Sequence, residues 1–394
     1  MLHKLTIILM IGFVLLPSAG FIDYGLISLF LATIINVPNV KKIDFGPVIF
    51  IFLILALIFC LACLSSLVNG GVIDLVYISK PIRYTLIVFL LYILFGSNKL
   101  SLFDSITIIL WCGLLNLIAV LLQYVGANVF GFDVLTFQTN IRTTTYRMPG
   151  LATGYPSSSM LLATSTIMFI LKYRLEGGKS KILGAVGLVF GQLLVSRTGL
   201  VLNACIFIVE YLRASIRNKV MLMGFSCLVV WLFLAYEPDA MYVARTLELM
   251  FEFFYQGEIT SASSLVQYHF KLPTDLLTLI FGNMIPAWDP GGSNSDVFWT
   301  RFIYAVGLPS LCLYFALFVY ISWIAYRGCG RICEQPENVK AYRYALLMVA
   351  FFLLLGSAKG SYIFSRFAFD AFILFALACA FASHRLREQR KSTV

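Results

Sequence analysis

Apolar positions along this chain come in long unbroken runs. Val48–Leu64 is seventeen residues without one polar side chain. Tilted transmembrane strands need only about 9–11 residues and alternate between faces. These runs do not alternate, so they predict helices, which satisfy every backbone polar group within the segment. Twelve spans are predicted, centred near residues 11, 30, 57, 84, 114, 160, 188, 206, 228, 313, 349 and 372. The first, Leu5–Leu16 followed by Ser18-Ala19-Gly20, has the outline of a cleavable leader. Another apolar run follows almost at once, so a helical hairpin turning at Pro17–Asp23 is expected instead.

Composition agrees with the pattern. The 394 residues are 60% hydrophobic and 12% charged, against about 25% charged in a soluble chain. That deficit excludes a soluble enzyme, a disordered protein and a DNA-binding protein. The net charge of +10 is better explained by basic cytoplasmic loops. Lys172, Arg174, Lys179 and Lys181 form one such loop, and Arg213, Arg217 and Lys219 another. Arg327, Arg331, Lys340 and Arg343 form a third, and the tail carries Arg385, Arg387, Arg390 and Lys391. With Lys4, Lys41, Lys42 and Lys99, 19 of the 29 basic residues fall on one side of a twelve-span bundle. Both termini are then cytoplasmic. The expected class is an all-α polytopic membrane protein of about 12 transmembrane helices.

The expected organisation has three parts. Residues 1–236 carry nine spans, with a short periplasmic loop at 127–149. Residues 237–298 form one large periplasmic loop with amphipathic helices. Residues 299–394 carry three spans and the basic tail. The large loop holds eight acids against Arg245 and Lys271, and a loop of that length is usually functional. No internal repeat is visible, whereas transporters often have matching halves. Seven of the nine cysteines lie in apolar runs. The Cys60-x-x-Cys63 pair sits in a purely apolar stretch, and Cys329 and Cys333 have no nearby His, so no metal site is expected.

Ten cations stand where the positive-inside bias disfavours them: Lys80, Arg83, Arg142, Arg147, Arg197, Arg245, Lys271, Arg301, Lys359 and Arg366. A charge at mid-span costs about 2.5–3.5 kcal/mol on insertion scales, so such positions need a reason. Arg197 lies in Ser196-Arg197-Thr198-Gly199 between two short apolar runs, which predicts a hairpin turn recessed in the outer leaflet. Lys80 and Arg83 share a helix face, as do Lys359 and Arg366. Arg142 and Arg147 flank Thr143-Thr144-Thr145-Tyr146. One reading is snorkelling and loop solvation. The other is an outer-leaflet cavity for a lipid-linked phosphate or pyrophosphate, which Arg grips bidentately. For a general base, Asp296 is the first choice, Asp289 the second, and His269 the one His of the outer loops. Trp288 beside these carboxylates suits a sugar. The sequence has no Asp-x-Asp, P-loop, H-E-x-x-H, G-x-S-x-G or G-x-G-x-x-G. An activated substrate should therefore arrive through the membrane.

Taken together, the chain resembles the O-antigen polymerase (Wzy) family, related to the O-antigen ligases. The resemblance rests on the Arg-rich first outer loop running into Pro149-Gly150-Leu151-Ala152-Thr153-Gly154-Tyr155-Pro156-Ser157-Ser158, and on Ser196-Arg197-Thr198-Gly199-Leu200. It also rests on the late periplasmic loop, and on Ile280-Phe281-Gly282-Asn283, Ser295-Asp296 and Phe298–Trp323 with Gly307. The ligases carry a His near the end of that loop, where this chain has Ser293-Asn294-Ser295-Asp296, which favours the polymerase.

The resemblance implies a metal-independent, family-C-like glycosyltransferase of the Gram-negative inner membrane, with no cofactor and its site facing the periplasm. Its substrate would be undecaprenyl-pyrophosphate-linked oligosaccharide repeat units. An acceptor hydroxyl would attack C1 of the growing chain, and undecaprenyl pyrophosphate would leave. Arg197 and Asp296 would be catalytic. Arg142, Arg147, Lys80, Arg83, Arg301, Lys359 and Arg366 would hold pyrophosphate or glycan. Besides the lipids, a chain-length regulator protein is a candidate partner, and nucleic acid is not. The alternatives are a lipid-linked oligosaccharide flippase or other transporter, and an O-antigen ligase.

Overall fold

A computed structural model describes residues 2–19, 22–36, 46–97, 99–132, 148–152, 154–213, 216, 219–220, 223–224, 270–287, 289–295, 297–332, 336–358, 360 and 363–392. The described chain is nearly all helical. In order it runs α1 (Leu2–Leu15), a two-stranded ladder of β1 (Ser18–Ala19) and β2 (Ile22–Asp23), α2 (Tyr24–Asn36), α3 (Gly46–Val68), α4 (Leu75–Gly96) and α5 (Leu102–Val125). It continues with α6 (Tyr155–Glu176), α7 (Lys179–Leu193), α8 (Arg197–Arg213), α9 (Leu276–Phe281), α10 (Phe298–Ile332), α11 (Pro336–Ser357) and α12 (Ala368–Ser392). Eleven of the expected span centres fall inside helices, and the one near residue 228 lies outside the described residues. Among the described residues, five helices are long and apolar enough to cross a membrane: most of α3, α4, α5 with the π-turn that follows it, most of α10, and α11. Shorter apolar helices are Leu2–Leu15, Tyr24–Asn36 and Ala368–Phe381.

Helix α3 shows why these are membrane helices. Val48, Ile51, Leu55, Ile58 and Ala62 are buried at helical spacing. The opposite face carries Phe50, Leu53, Leu57 and Leu64, all exposed and all apolar. A helix facing water would place polar residues there. Like α12 from Ala368 to Cys379, helix α6 is buried without a break, from Ser158 to Phe169. Its Thr164 and Thr166 hydroxyls donate to carbonyls one turn back, and Ser165 donates to the Ile109 carbonyl of α5 at 2.9 Å. Gly113 permits that approach, because a Cβ there would overlap Ser165. Small residues at such seams let helices pack closely where the lipid gives no hydrophobic drive.

The helix ends sort into two groups. α1 and α2 form an antiparallel hairpin in which Asn36 donates to Thr6 and Ser28 to the Leu9 carbonyl. His3 at the start of α1 lies 3.2 Å from Asp104, whose carboxylate closes a capping box with Ser101 at the start of α5. At the ends of α6 and α8 and the start of α11, Glu210 accepts from Arg174 at 2.7 Å and from Tyr344 at 2.8 Å. The Arg174 and Arg213 guanidinium groups lie 4.5 and 4.2 Å from the Tyr344 ring centre. The residues of interest lie at the other ends of these helices.

Candidate functional site

The first ion-pair centre joins three distant segments. Arg83 on α4 donates to both oxygens of Asp370 on α12, at 2.9 and 2.6 Å, and through Nε to Asp23 at 2.7 Å. Arg366 donates to the other Asp23 oxygen. Asp23 sits in the α1–α2 turn, where it also accepts from the Leu26 amide at 2.8 Å. Burial pushes the Asp23 carboxyl up, but the Arg83 charge and hydrogen bond, the Leu26 amide and Arg366 outweigh it and hold it below its ordinary value. Two arginines and two aspartates thus neutralise each other. Sequence reasoning expected Arg83 and Arg366 to line an anion site. Here both are held by Asp23 and Asp370, acids that reasoning did not weigh. Asp370 had a legible signal, since a carboxylate within three residues of a long apolar run is costly unless paired.

Lys80, three residues from Arg83, faces a different neighbourhood. Its Nζ lies 4.8 Å from the Tyr77 ring centre and 5.1 Å from that of Phe302 on α10. The two rings meet edge-to-face at 5.0 Å. Arg301, next to Phe302, donates to the Ser295 carbonyl and lies near enough to Lys80 for the two charges to be felt. Asp74 starts α4, where Oδ1 accepts from the Val76 amide at 2.9 Å. Burial pushes the Asp74 carboxyl up, Val76 and Lys80 pull it back, and Asp289 adds to the rise, so the net shift is upward. Two cations and two carboxylates from residues 74–301 therefore gather where α4 and α10 begin.

The loop before α10 is locked to it by a break in that helix. Gly307 has φ of 79°, and Pro309 cannot donate to the Ala305 carbonyl. The freed acceptors are taken from outside. Asn283 donates its amide to the Tyr304 carbonyl at 2.6 Å, and Met284 donates to that of Ala305 at 3.1 Å. Asn69 at the end of α3 donates to the Gly282 carbonyl at 2.9 Å. Within the loop, Asn283 donates to the Gly291 carbonyl at 2.9 Å and Asn294 to that of Ala287 at 2.7 Å. Glycine at 292 is required because a Cβ there would overlap the Pro286 carbonyl. Ser295 at the end of this turn accepts from the Val297 amide at 3.1 Å and, through its carbonyl, from Arg301, while Asp289 is exposed. Asp296, Trp288 and His269 lie outside the described residues.

A second region lies across the bundle. The Gly150 backbone is clamped by the Gln123 amide, which accepts from its N–H at 2.8 Å and donates to its carbonyl at 2.9 Å. Asn116 accepts from the Leu151 amide at 2.9 Å and donates to Ser158 at 2.7 Å. Gly150 has φ of 65°, and a Cβ would overlap Asn116, so the Pro149-Gly150-Leu151 run is a docked strap. Met148 donates to the Leu194 carbonyl at 3.0 Å in the α7–α8 turn, and Ser196 hydrogen-bonds Ser159 at 2.8 Å. That turn is therefore tucked against α6. Arg197 opens α8, its side chain lying outside what is described. Arg142, Arg147 and Lys359 are also outside the described residues. Of the sequence candidates, the structure brings Lys80 near Arg301 and joins Arg83 to Arg366 through Asp23.

The class these features define is an all-α membrane protein with charged clusters at one end of its bundle. Compared with known proteins, the chain matches no family model and no curated relative.

Proposed function

We propose that this chain is a polymerase of the O-antigen type, a twelve-span inner-membrane glycosyltransferase with both termini cytoplasmic. In this reading it joins undecaprenyl-pyrophosphate-linked repeat units on the periplasmic side. The observation that carries it is the meeting of Lys80 and Arg301 beside Asp74 and Asp289 at the start of two apolar helices. Cations at the end of a span stand at headgroup depth, where a lipid-linked diphosphate would lie. They would stabilise the negative charge that builds as the diphosphate leaves. A carboxylate alongside would take the proton of the attacking hydroxyl. Arg197, at the turn that hydrogen-bonds Met148 and Ser159, belongs to the same reading, and so do Arg142 and Arg147 by sequence.

The broken helix α10 is what a transporter reading would cite, since discontinuous helices often bind cargo with freed carbonyls. In this protein Asn283 and Met284 already occupy the Tyr304 and Ala305 carbonyls, which favours the polymerase.

The test is a lipopolysaccharide gel on cells lacking this chain, complemented with wild type, Lys80→Ala or Arg197→Ala at matched protein level. A ladder in wild type that collapses to core plus one repeat unit in both variants is expected. Core without any repeat unit in the uncomplemented cells would indicate a flippase or ligase. A normal ladder with Lys80→Ala would remove the α4–α10 site from the mechanism.

A further inference from the structure

We infer that Asp74 is the general base for the transfer proposed above, in place of the loop carboxylates. The inference rests on that polymerase reading and names the group that takes the acceptor's proton.

Four observations converge on it. Asp74 is 7% exposed, the least solvent-exposed of the charged groups in the α4–α10 cluster. Only Oδ1 is used by the cap, where it accepts from Val76. Oδ2 accepts no hydrogen bond from a described residue, so one oxygen holds the carboxylate in place and the other is left to act. Beside it lies Lys80, with no carboxylate within ion-pair distance among the described residues and its Nζ over the Tyr77 and Phe302 rings. Further in, the Tyr314 hydroxyl is buried and has no hydrogen-bond partner among the described residues, and its ring packs 4.6 Å from that of Phe302. An unpaired buried hydroxyl behind an ammonium and a carboxylate is what a polar ligand group would complete.

The chemistry balances on these groups. The acceptor hydroxyl oxygen forms a bond to C1 of the donor sugar, and the bond from C1 to the pyrophosphate oxygen breaks with its electron pair. Lys80 and Arg301 face the charge that departs. The hydroxyl proton passes to Asp74 Oδ2 and then to water. A base works best when its pKa approaches the working pH, and burial with Asp289 nearby moves Asp74 in that direction. Asp289 is exposed and belongs to a surface turn, so it supplies charge and shape but lacks the same enclosure.

The experiment uses full-length protein in proteoliposomes, fed with the lipid extract of cells lacking this chain, in which the lipid-linked repeat unit accumulates. Chain extension is followed on gels from pH 5 to 8. Wild type should extend chains with an acid limb, the rate falling as Asp74 takes up a proton. Asp74→Asn keeps a cap on Val76. It should lose about 100-fold or more in rate, with no acid limb in what remains. Asp74→Glu should retain part of the activity and the limb, which a purely structural cap would not require. Extension by Asp74→Asn within about threefold of wild type, or with an unchanged acid limb, would overturn the assignment while leaving the polymerase standing. No extension by wild type from an extract shown to contain the repeat unit would overturn the polymerase reading and the assignment with it.

Discussion

Replacing Asp370 separates a structural role for Arg83 from a substrate-binding one. The Asp370 side chain is 1% exposed and that of Arg83 14%, and they share two hydrogen bonds at 2.9 and 2.6 Å. Opposite charges about 3 Å apart attract by roughly 5–6 kcal/mol at an effective dielectric of about 20, most of which offsets their desolvation. Removing one partner leaves the other charge uncompensated, at about 3–5 kcal/mol. Asp370→Ala should fall near the lower bound, because Arg83 keeps Asp23 at 2.7 Å. A loss of about 3 kcal/mol lowers the folded ratio by roughly a hundredfold. The double variant Arg83→Met/Asp370→Leu removes both charges and keeps apolar volume, while Asp23 remains paired with Arg366. It should come within about 1 kcal/mol of wild type. Denaturant unfolding in detergent, followed by tryptophan fluorescence, measures all of these. A single variant within about 0.5 kcal/mol of wild type, or a double variant no better than the single, would refute the argument. The double variant should also support a normal polysaccharide ladder. A folded double variant without one would return Arg83 to the substrate.

Two other outcomes follow from the geometry. Gly307→Ala places a Cβ against the Ile280 carbonyl at φ of 79°, so it should cost more than about 2 kcal/mol and speed proteolysis in residues 282–297. Gly71→Ala, at φ of 86° with nothing within 4 Å, should cost only about 1 kcal/mol, and equal effects would contradict the docking of that loop. The lowered Asp23 pKa gives stability that is present above about pH 4, its unfolded value. That stability is lost as pH falls through the folded value. Unfolding measured from pH 6 to 2.5 should show a steeper acid decline in wild type than in Asp23→Asn, and parallel curves would count against the pairing.

The helices were legible because lipid-facing helices are apolar all round, as Phe50 and Leu53 show on α3. Periodicity placed Lys80 and Arg83 on one face, but it does not say what lies across from that face. One meets Phe302 and the other Asp370, 287 positions further on. The acids that decide the matter, Asp23, Asp74 and Asp370, lie at helix ends and turns, where a carboxylate alone gives no sign of the cation it will meet. In an apolar chain a carboxylate is as informative as an arginine. Gly307 stands in a recognisable motif, but its conformation depends on a partner segment that no local pattern announces. The docked strap at Gly150 is the converse case, since Pro149-Gly150 is a turn signal in any sequence while Asn116 and Gln123 are buried amides that need partners.

The break in α10 also bears on how the chain is made. A helix with two unpaired carbonyls is poorly suited to enter hydrocarbon by itself. The amides that satisfy them belong to Asn283 and Met284, about twenty residues nearer the N-terminus, so they leave the ribosome before the helix does. The repair is thus in reach at the moment of insertion, through a short loop whose closure costs little entropy. A permuted chain that delivered residues 282–284 after α10 would have to insert that helix with its defect open. The order of synthesis is then itself part of what allows a glycine and a proline to stand in the middle of this span.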